Sequence, residues 1–331
     1  MPGLPRKTDA RLSDDRRWLA AAAALAARGL PLSRPNPAVG ALIVRDGVVV
    51  GSGWTQPGGR PHAEAGALAM AGDAARGATL YVTLEPCAHQ SPRGPACADL
   101  VAAAGLARVV VGCGDPDPRT AGHGLARTGG VLVPSPECER SLAGYLSMRR
   151  RGRPHVTLKL ATSLDGAIAM ANGESRWITG AAARAHCHAM RARADAIMVG
   201  GGTLRADAPR LDVRLSGLED RSPDRWVLTH GEAPAGWHAL SAPEGILAMD
   251  GVQYLFIEGG AGAAAAFLRA GLVDRLLIYR APIIIGGGQP CISDIGLASL
   301  GDAHGQWCMT DRRQLGSDTM EVYEAVPCLP A

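Results

Sequence analysis

Apolar and polar positions along the chain follow two rhythms, one near 3.6 residues and one near two. A stripe at helical spacing covers residues 14–29 and stops at Gly29, a residue suited to a helix C-terminus. A proline-rich turn follows over 31–37. Residues 38–44 and 48–51 are β-branched runs joined through Asp46-Gly47, a dipeptide that favours a tight hairpin, so they predict an antiparallel pair. Pro61 opens a predicted helix reaching Met70. Residues 79–83 read as a buried strand, 97–104 as a helix ending at Gly105, and 109–112 as another strand.

Beyond these lies a charged tract, Arg149, Arg150, Arg151, Gly152 and Arg153, followed by Pro154, which reads as a solvated linker. The alternation then resumes, with strands expected over 156–161, 196–200, 225–229, 254–257 and 276–279 and helices over 181–193 and 261–270. Strands alternating with helices imply an α/β fold in each half. The expected domains are 1–150 and 151–331. At 331 residues the chain exceeds the usual single domain of about 100–200 residues, and no repeat period suggests a solenoid.

Composition narrows the function classes. Hydrophobic residues make up 47% and charged residues 20%, the balance of a globular protein. A net charge of +3 with only two phenylalanines, Phe256 and Phe267, excludes neither enzyme nor binder but argues against nucleic acid as partner. The N-terminus is polar (Arg6, Lys7, Asp9, Arg11), and the alanine-rich stretch 19–27 is far too short for a membrane span. It also lacks the layout of a signal peptide, so a cytoplasmic location with no membrane partner is expected. Its eight cysteines should then stay reduced and serve as ligands or core residues.

One set of those cysteines carries chemistry. Pro61-His62-Ala63-Glu64 stands at a helix start, Thr83-Leu84-Glu85-Pro86-Cys87 at the end of a strand, and Cys97 at the opening of another helix. Two thiolates and an imidazole suit Zn²⁺, and three protein ligands leave a fourth position for water, as in a catalytic rather than a structural site. The helix start at Cys97 should lower that thiol's pKa. Glu64, two residues past His62, is placed to face the activated water and move its proton to a leaving amine. Individually, His62 could be a capping residue and each cysteine a small core residue; together they read as a deaminase centre.

The His-x-Glu and Pro-Cys elements form the signature of zinc-dependent nucleobase and nucleotide deaminases. Nine residues separate Cys87 from Cys97. With Asn36-Pro37-Ala38-Val39-Gly40, the run 83–89 and Gly114-Asp115-Pro116-Asp117-Pro118, this spacing resembles the deaminase half of the bifunctional riboflavin-biosynthesis deaminase/reductase family. The interval between the cysteines is one residue longer than usual there. The resemblance implies a cytidine-deaminase-like three-layer α/β/α domain in which Asn36, His89 and Asp115 contact the substrate. Asn36 and Asp115 could alternatively shape turns.

In the second half, the runs 158–166, 173–179 and 195–203 and Ala206-Asp207-Ala208-Pro209-Arg210-Leu211 resemble the reductase half of the same family in the same order. A dihydrofolate-reductase-like α/β domain is thereby implied, with NADPH as cofactor alongside Zn²⁺ in the first domain. Gly259-Gly260-Ala261-Gly262 follows a predicted strand and opens a helix, where a pyrophosphate could approach backbone amides, although this turn alone is also an ordinary strand-to-helix connection. By the resemblance, Ala161, Trp177, Thr203, Asp207, Gly260, Ala261 and Gly262 contact NADPH. Ser175, Arg191, Leu211, Arg214 and Glu258 contact substrate, with Lys159 a further candidate.

The implied reaction is deamination of a phosphoribosylated pyrimidine followed by reduction of its ribosyl group to ribityl, in a homo-oligomer. Ala208 stands where the family has Asp, Thr229-His230 where it has a pair such as Asp-Ser, and the segment before Tyr254 is short. A deaminase carrying a non-catalytic reductase-like domain is the alternative reading.

Overall fold

The structure is a computed structural model and describes residues 7–326; Arg6 and Cys328 lie outside the described residues. It divides into two compact units that meet between Gly152 and Arg153. The first contains α1 (Lys7–Ala26), β1 (Gly40–Arg45), β2 (Val48–Trp54), α2 (Ala63–Ala71), β3 (Thr79–Val82), α3 (Cys97–Ala103), β4 (Arg108–Val111), α4 (His123–Thr128), β5 (Val131–Leu132), α5 (Pro136–Ser141) and α6 (Ala143–Arg151). Its sheet order is β2-β1-β3-β4-β5. The hairpin is antiparallel as its turn predicts, whereas β3, β4 and β5 run parallel.

Two glycines let helices close onto both faces of this sheet. A Cβ on Gly40 would lie 2.0 Å from the Ala22 carbonyl oxygen of α1, and one on Gly53 would lie 2.1 Å from that of Ala63 in α2. Gly53 is the cross-strand partner of Ala41, so it shares a face with Ala41 and not with Gly40. α1 and α2 therefore cover opposite faces, giving the α/β/α layering. Between them, Ile43, Leu80, Val82, Val110 and Val111 are buried.

The second unit contains β6 (His155–Thr162), β7 (Ala167–Ala169), α7 (Ala181–Arg191), β8 (Ala196–Gly200), α8 (Gly201–Asp207), β9 (Asp224–Leu228), β10 (His238–Leu240), β11 (Tyr254–Ile257), α9 (Ala261–Arg269), β12 (Arg275–Arg280), β13 (Gln289–Pro290), β14 (Trp307–Leu315) and β15 (Asp318–Ala325). Eight strands form one sheet, ordered β10-β9-β8-β11-β6-β12-β15-β14. Strands β10 to β12 in that order are parallel, and β15 and β14 close the edge antiparallel. Alternation along β8 feeds two cores. Ala196 and Met198 pack with Phe267 of α9, while Ile197 and Val199 pack with Ala183 and Cys187 of α7.

Two readings of the sequence need correction. The arginine tract is not a solvated linker. Arg149–Arg151 complete α6, which ends at Gly152 with φ +65°, and Arg149 pairs with Asp117 at 3.1 Å. Arg153 is buried and holds Asp274 through two hydrogen bonds of 2.7 and 2.8 Å. Nor does the helix after Pro61 begin there: α2 starts at Ala63, leaving His62 extended at the N-cap. The short segment before Tyr254 retains a strand, β10, and a 3₁₀ turn over Pro243–Ala248 that buries Ile246. No helix among the described residues is long and apolar enough to cross a membrane.

Candidate functional site

In the first unit, three elements deliver three soft donors to one point. His62 precedes α2, Cys87 lies in the loop after β3, and Cys97 is the first residue of α3. Their ligand atoms all lie within 4.8 Å of one another. His62 Nδ1 is 3.2 Å from Cys97 Sγ and 3.6 Å from Cys87 Sγ. A tetrahedral ion with Zn–S near 2.3 Å and Zn–N near 2.0 Å, as is typical of zinc, needs donors at about such separations, so the set fits Zn²⁺.

The electrostatics differ in one respect from expectation. The N–H at the start of α3 belongs to Cys97 but donates to Cys87 Sγ at 3.3 Å. Hydrogen bonds from the Cys97 thiol, from His62 and from that N–H lower the Cys87 pKa against its burial. Cys97, whose proton is engaged by Cys87 and which is deeply buried, is pushed up instead. Glu64, in the first turn of α2, is 3% exposed, and burial raises its pKa.

Around this centre lies a pocket of about 220 Å³ that also takes in Asn36, His89 and Asp115. The Asn36 side chain sits 3.2 Å from His62 Nε2, the ring nitrogen facing away from the cysteines. His89 Nδ1 is 3.4 Å from Thr120 Oγ1. Asp115 accepts hydrogen bonds from the Tyr145 hydroxyl and the Asp117 N–H, both at 2.9 Å.

Sequence reasoning missed several residues here. Glu85 accepts the N–H groups of Asp115, Gly122 and Leu125 at 3.3, 3.2 and 3.0 Å and so ties the Cys87 loop to the Asp115 loop. Its place in the run 83–87 was the available signal. Arg60, Arg93, Arg119 and Arg149 also line the pocket, and nothing in their local sequence marks them out.

The second unit holds a larger pocket, about 1250 Å³, formed where the parallel strands end. It gathers every reductase residue expected from the sequence: Lys159 and Ala161 on β6, Ser175 and Trp177 before α7, Arg191 at its end, Thr203 and Asp207 on α8, Leu211 and Arg214 after it, and Glu258, Gly260, Ala261 and Gly262 after β11. Trp177 is not core: it is 66% exposed, with the Arg184 guanidinium over its ring at 4.7 Å.

The turn after β11 is built for close approach. Gly260 N–H donates to Thr203 Oγ1 at 3.0 Å, and a Cβ on Gly260 would meet that same oxygen at 2.9 Å. No side chain caps α9, so its first N–H groups are open to an anion. On the other side of the pocket, Arg191 grips Glu258 through Nε and, at 2.9 Å, through Nη2, while Lys159 Nζ lies 3.6 Å from Glu258. Burial alone would raise the Glu258 pKa, but the two cations outweigh it and hold the carboxyl at about 2. Tyr279 and Cys187, which the sequence reading left out, also face this pocket.

Ala208 has φ +40° and Leu211 φ +54°. This left-handed conformation is costly for both side chains and is held at the pocket wall.

Fold and site together define a deaminase with a zinc-type ligand set, continued in one chain by an α/β reductase domain. Residues 12–113 match the model of the cytidine and deoxycytidylate deaminase zinc-binding region. Residues 154–236 and 245–319 match that of the RibD C-terminal domain, with the break falling at the shortened segment. The riboflavin biosynthesis protein RibD of Escherichia coli K12 is 38% identical over 361 residues, covering 92% of this chain and 97% of that protein. RibD of Mycobacterium tuberculosis H37Rv is 38% identical over 312 residues, 86% and 90% of the two chains.

Among solved structures, Acinetobacter baumannii RibD superposes with a TM-score of 0.79 at 33% identity, covering 96% of this chain and all of that one. A deaminase/reductase from Thermotoga maritima does so with 0.83 at 28%, with the same coverage. The chain belongs to the RibD family of bifunctional deaminase/reductase enzymes of riboflavin biosynthesis.

Proposed function

We propose that the first unit hydrolytically deaminates a diaminopyrimidinone bearing a phosphoribosylamino group, and that the second then reduces the ribosyl group to ribityl with NADPH. The Thermotoga maritima relative is described as a diaminohydroxyphosphoribosylaminopyrimidine deaminase and 5-amino-6-(5-phosphoribosylamino)uracil reductase. The observation that carries the reading is the meeting of His62, Cys87 and Cys97 beside a buried Glu64. The charged pocket of the second unit extends it to reduction.

His62 Nδ1 and the sulfurs of Cys87 and Cys97 would hold Zn²⁺, which when bound supplies the Lewis acidity that makes water nucleophilic near neutral pH. Glu64 takes a proton at its carboxylate and returns it to the departing amine. Its burial keeps bulk water from competing for that proton. Asn36 orients the His62 ring through Nε2, and Asp115 and His89 bind the pyrimidine edge.

In the second unit, the amides at the start of α9 would bind the cofactor pyrophosphate, and Ala161, Trp177, Thr203 and Asp207 would position the rest. NADPH supplies the hydride for C1 of the ribosyl group. Lys159, Arg191 and Arg214 present cations to the phosphorylated sugar, Glu258 keeps two of them fixed, and Ser175 and Leu211 shape the wall. The enzyme acts on a small molecule, in the cytoplasm and as a homo-oligomer, with neither nucleic acid nor membrane as partner.

Each half-reaction is tested separately on purified protein of measured zinc content. Zinc near one per chain, deamination of the first substrate and NADPH-dependent reduction of the deaminated intermediate are expected. Protein prepared without chelators yet lacking zinc, or Cys87→Ser with unchanged zinc, would overturn the metal assignment.

A further inference from the structure

We propose that Tyr279 is the acid of the reduction: its hydroxyl protonates the ring oxygen of the ribosyl group as that ring opens, and His186 restores the proton from solvent. The inference rests on the reductase reading above and adds the proton donor which that reading lacks.

Register places Tyr279 in the second pocket. On β12 it is the parallel neighbour of Ala161 on β6, and Leu277, two residues before it, is the neighbour of Lys159. Side chains two residues apart share a face of a sheet, so Tyr279, Ala161 and Lys159 stand together on the face that α7 covers. Tyr279 is 1% exposed yet lines the pocket, with Lys159 Nζ 6.0 Å from the centre of its ring. The other groups there have their protons committed. Glu258 is held ionised by Lys159 and Arg191, both of which direct N–H groups at it, and the Cys187 thiol donates to the same carboxylate at 3.6 Å. Tyr279 is neutral, because burial, then Cys187 and Glu258, push its pKa up against the pull of Arg191.

A path for the replacement proton adjoins the hydroxyl. His186 Nδ1 is 2.8 Å from the Tyr279 oxygen. His186 is partly exposed, and its Nε2 has no hydrogen-bond partner among the described residues. A proton on Nδ1 makes His186 the donor, so the phenolic O–H is left to point at substrate. In the step, hydride supplied by NADPH adds at C1, the bond from C1 to the ring oxygen breaks, and its electron pair stays on that oxygen. The oxygen takes the Tyr279 proton and becomes a hydroxyl of the ribityl chain, the His186 N–H stabilising the tyrosinate as it forms. Tyr279 is reprotonated from Nδ1, and Nε2 takes one proton from water. NADPH is oxidised, the ribosyl carbon is reduced, and one solvent proton is consumed. Burial first, then Arg313 of β14 and Arg193, lower the His186 pKa, with Asp311 of β14 opposing them.

Reduction of the deaminated intermediate by the full-length chain across a pH series tests the assignment. Tyr279→Phe keeps the ring and removes the donor, so kcat should fall by about 10²-fold or more, with KM and calorimetric NADPH affinity unchanged. In the unmodified protein kcat should rise as pH falls through the His186 pKa, below the ordinary 6.5, since imidazolium gives up its Nδ1 proton more readily. His186→Gln can still donate to the Tyr279 oxygen but cannot relay, so it should lower kcat and flatten that rise while the thermal midpoint holds. Nitrogen NMR of isotope-labelled histidine gives a readout independent of turnover: His186 Nδ1 should carry a proton in the unmodified protein, and its resonance should move in Tyr279→Phe. Unchanged NADPH binding verifies that the second unit folds in both variants. An Nδ1 without a proton, a pH profile that His186→Gln leaves unaltered, or a Tyr279→Phe loss that lies in KM or NADPH affinity rather than kcat overturns the relay and leaves the reductase reading in place. If the unmodified chain neither binds NADPH nor reduces the intermediate, both readings fall.

Discussion

Glu64 and Glu258 are both buried carboxylates with opposite surroundings. Glu64 lies buried beside His62, Cys87 and Cys97, and in the proposed mechanism its proton is the one that moves. Glu64→Gln keeps shape and zinc but carries no exchangeable carboxyl proton, so deamination should fall by on the order of 10² or more; product formation at equal zinc content measures it. Glu258 is pinned between two cations. Its folded-state pKa of about 2 lies below the ordinary 4.5, so the stabilisation it contributes is complete above pH 4.5 and is lost as pH falls towards 2. Glu258→Gln leaves Lys159 and Arg191 facing each other and should cost about 3–5 kcal/mol at neutral pH. That gap should narrow as the parent is acidified, which urea unfolding at stepped pH would reveal. At this scale, the meeting of His62, Cys87 and Cys97 beside Glu64 was legible because these residues sit in short motifs at element ends. Glu85 was not, since its three partners lie 30 to 40 residues downstream and local sequence cannot show what a long connection brings back.

At the level of elements, the legible parts were those with strong local rhythm. The β1–β2 hairpin, β8, β11, α7 and α9 stand close to their expected positions. The long strands β14 and β15 went unread because β14 carries a polar, mostly exposed run, Asp311-Arg312-Arg313-Gln314, with little alternation. β12 was placed, but nothing in its sequence shows that its next neighbour is antiparallel. The helices α4, α5 and α6 were missed because six to nine residues hold too few turns to establish a period, and they were not read from their flanking residues as the equally short α2 and α3 were. α4 is nonetheless fixed in place: a Cβ on Gly124 would lie 2.1 Å from the Pro86 carbonyl oxygen and 2.9 Å from Glu85 Cγ. Gly124→Ala should therefore press on the Cys87 loop and destabilise the first unit by about 1–3 kcal/mol. Weaker zinc retention in a competition with chelator should accompany the lower thermal midpoint.

At the scale of the molecule, two units and two chemistries share one chain, and each centre draws its residues from a single unit. Ligands should then act on separate transitions. NADPH at 100 times its Kd should stabilise the second unit by about 2.7 kcal/mol, and a chelator should weaken only the first; scanning calorimetry with each addition distinguishes them. The family match in the second unit begins at residue 154, yet the ion pair at the entrance of that unit begins one residue earlier. Asp274 takes both of its guanidinium contacts from Arg153 and also accepts the Val156 N–H at 2.8 Å. Anyone excising the reductase at the homology boundary would discard the cation and keep its buried anion. A fragment starting at 154 should be about 3–5 kcal/mol less stable than one starting at 153, so a single arginine just outside the matched region marks where the second unit starts.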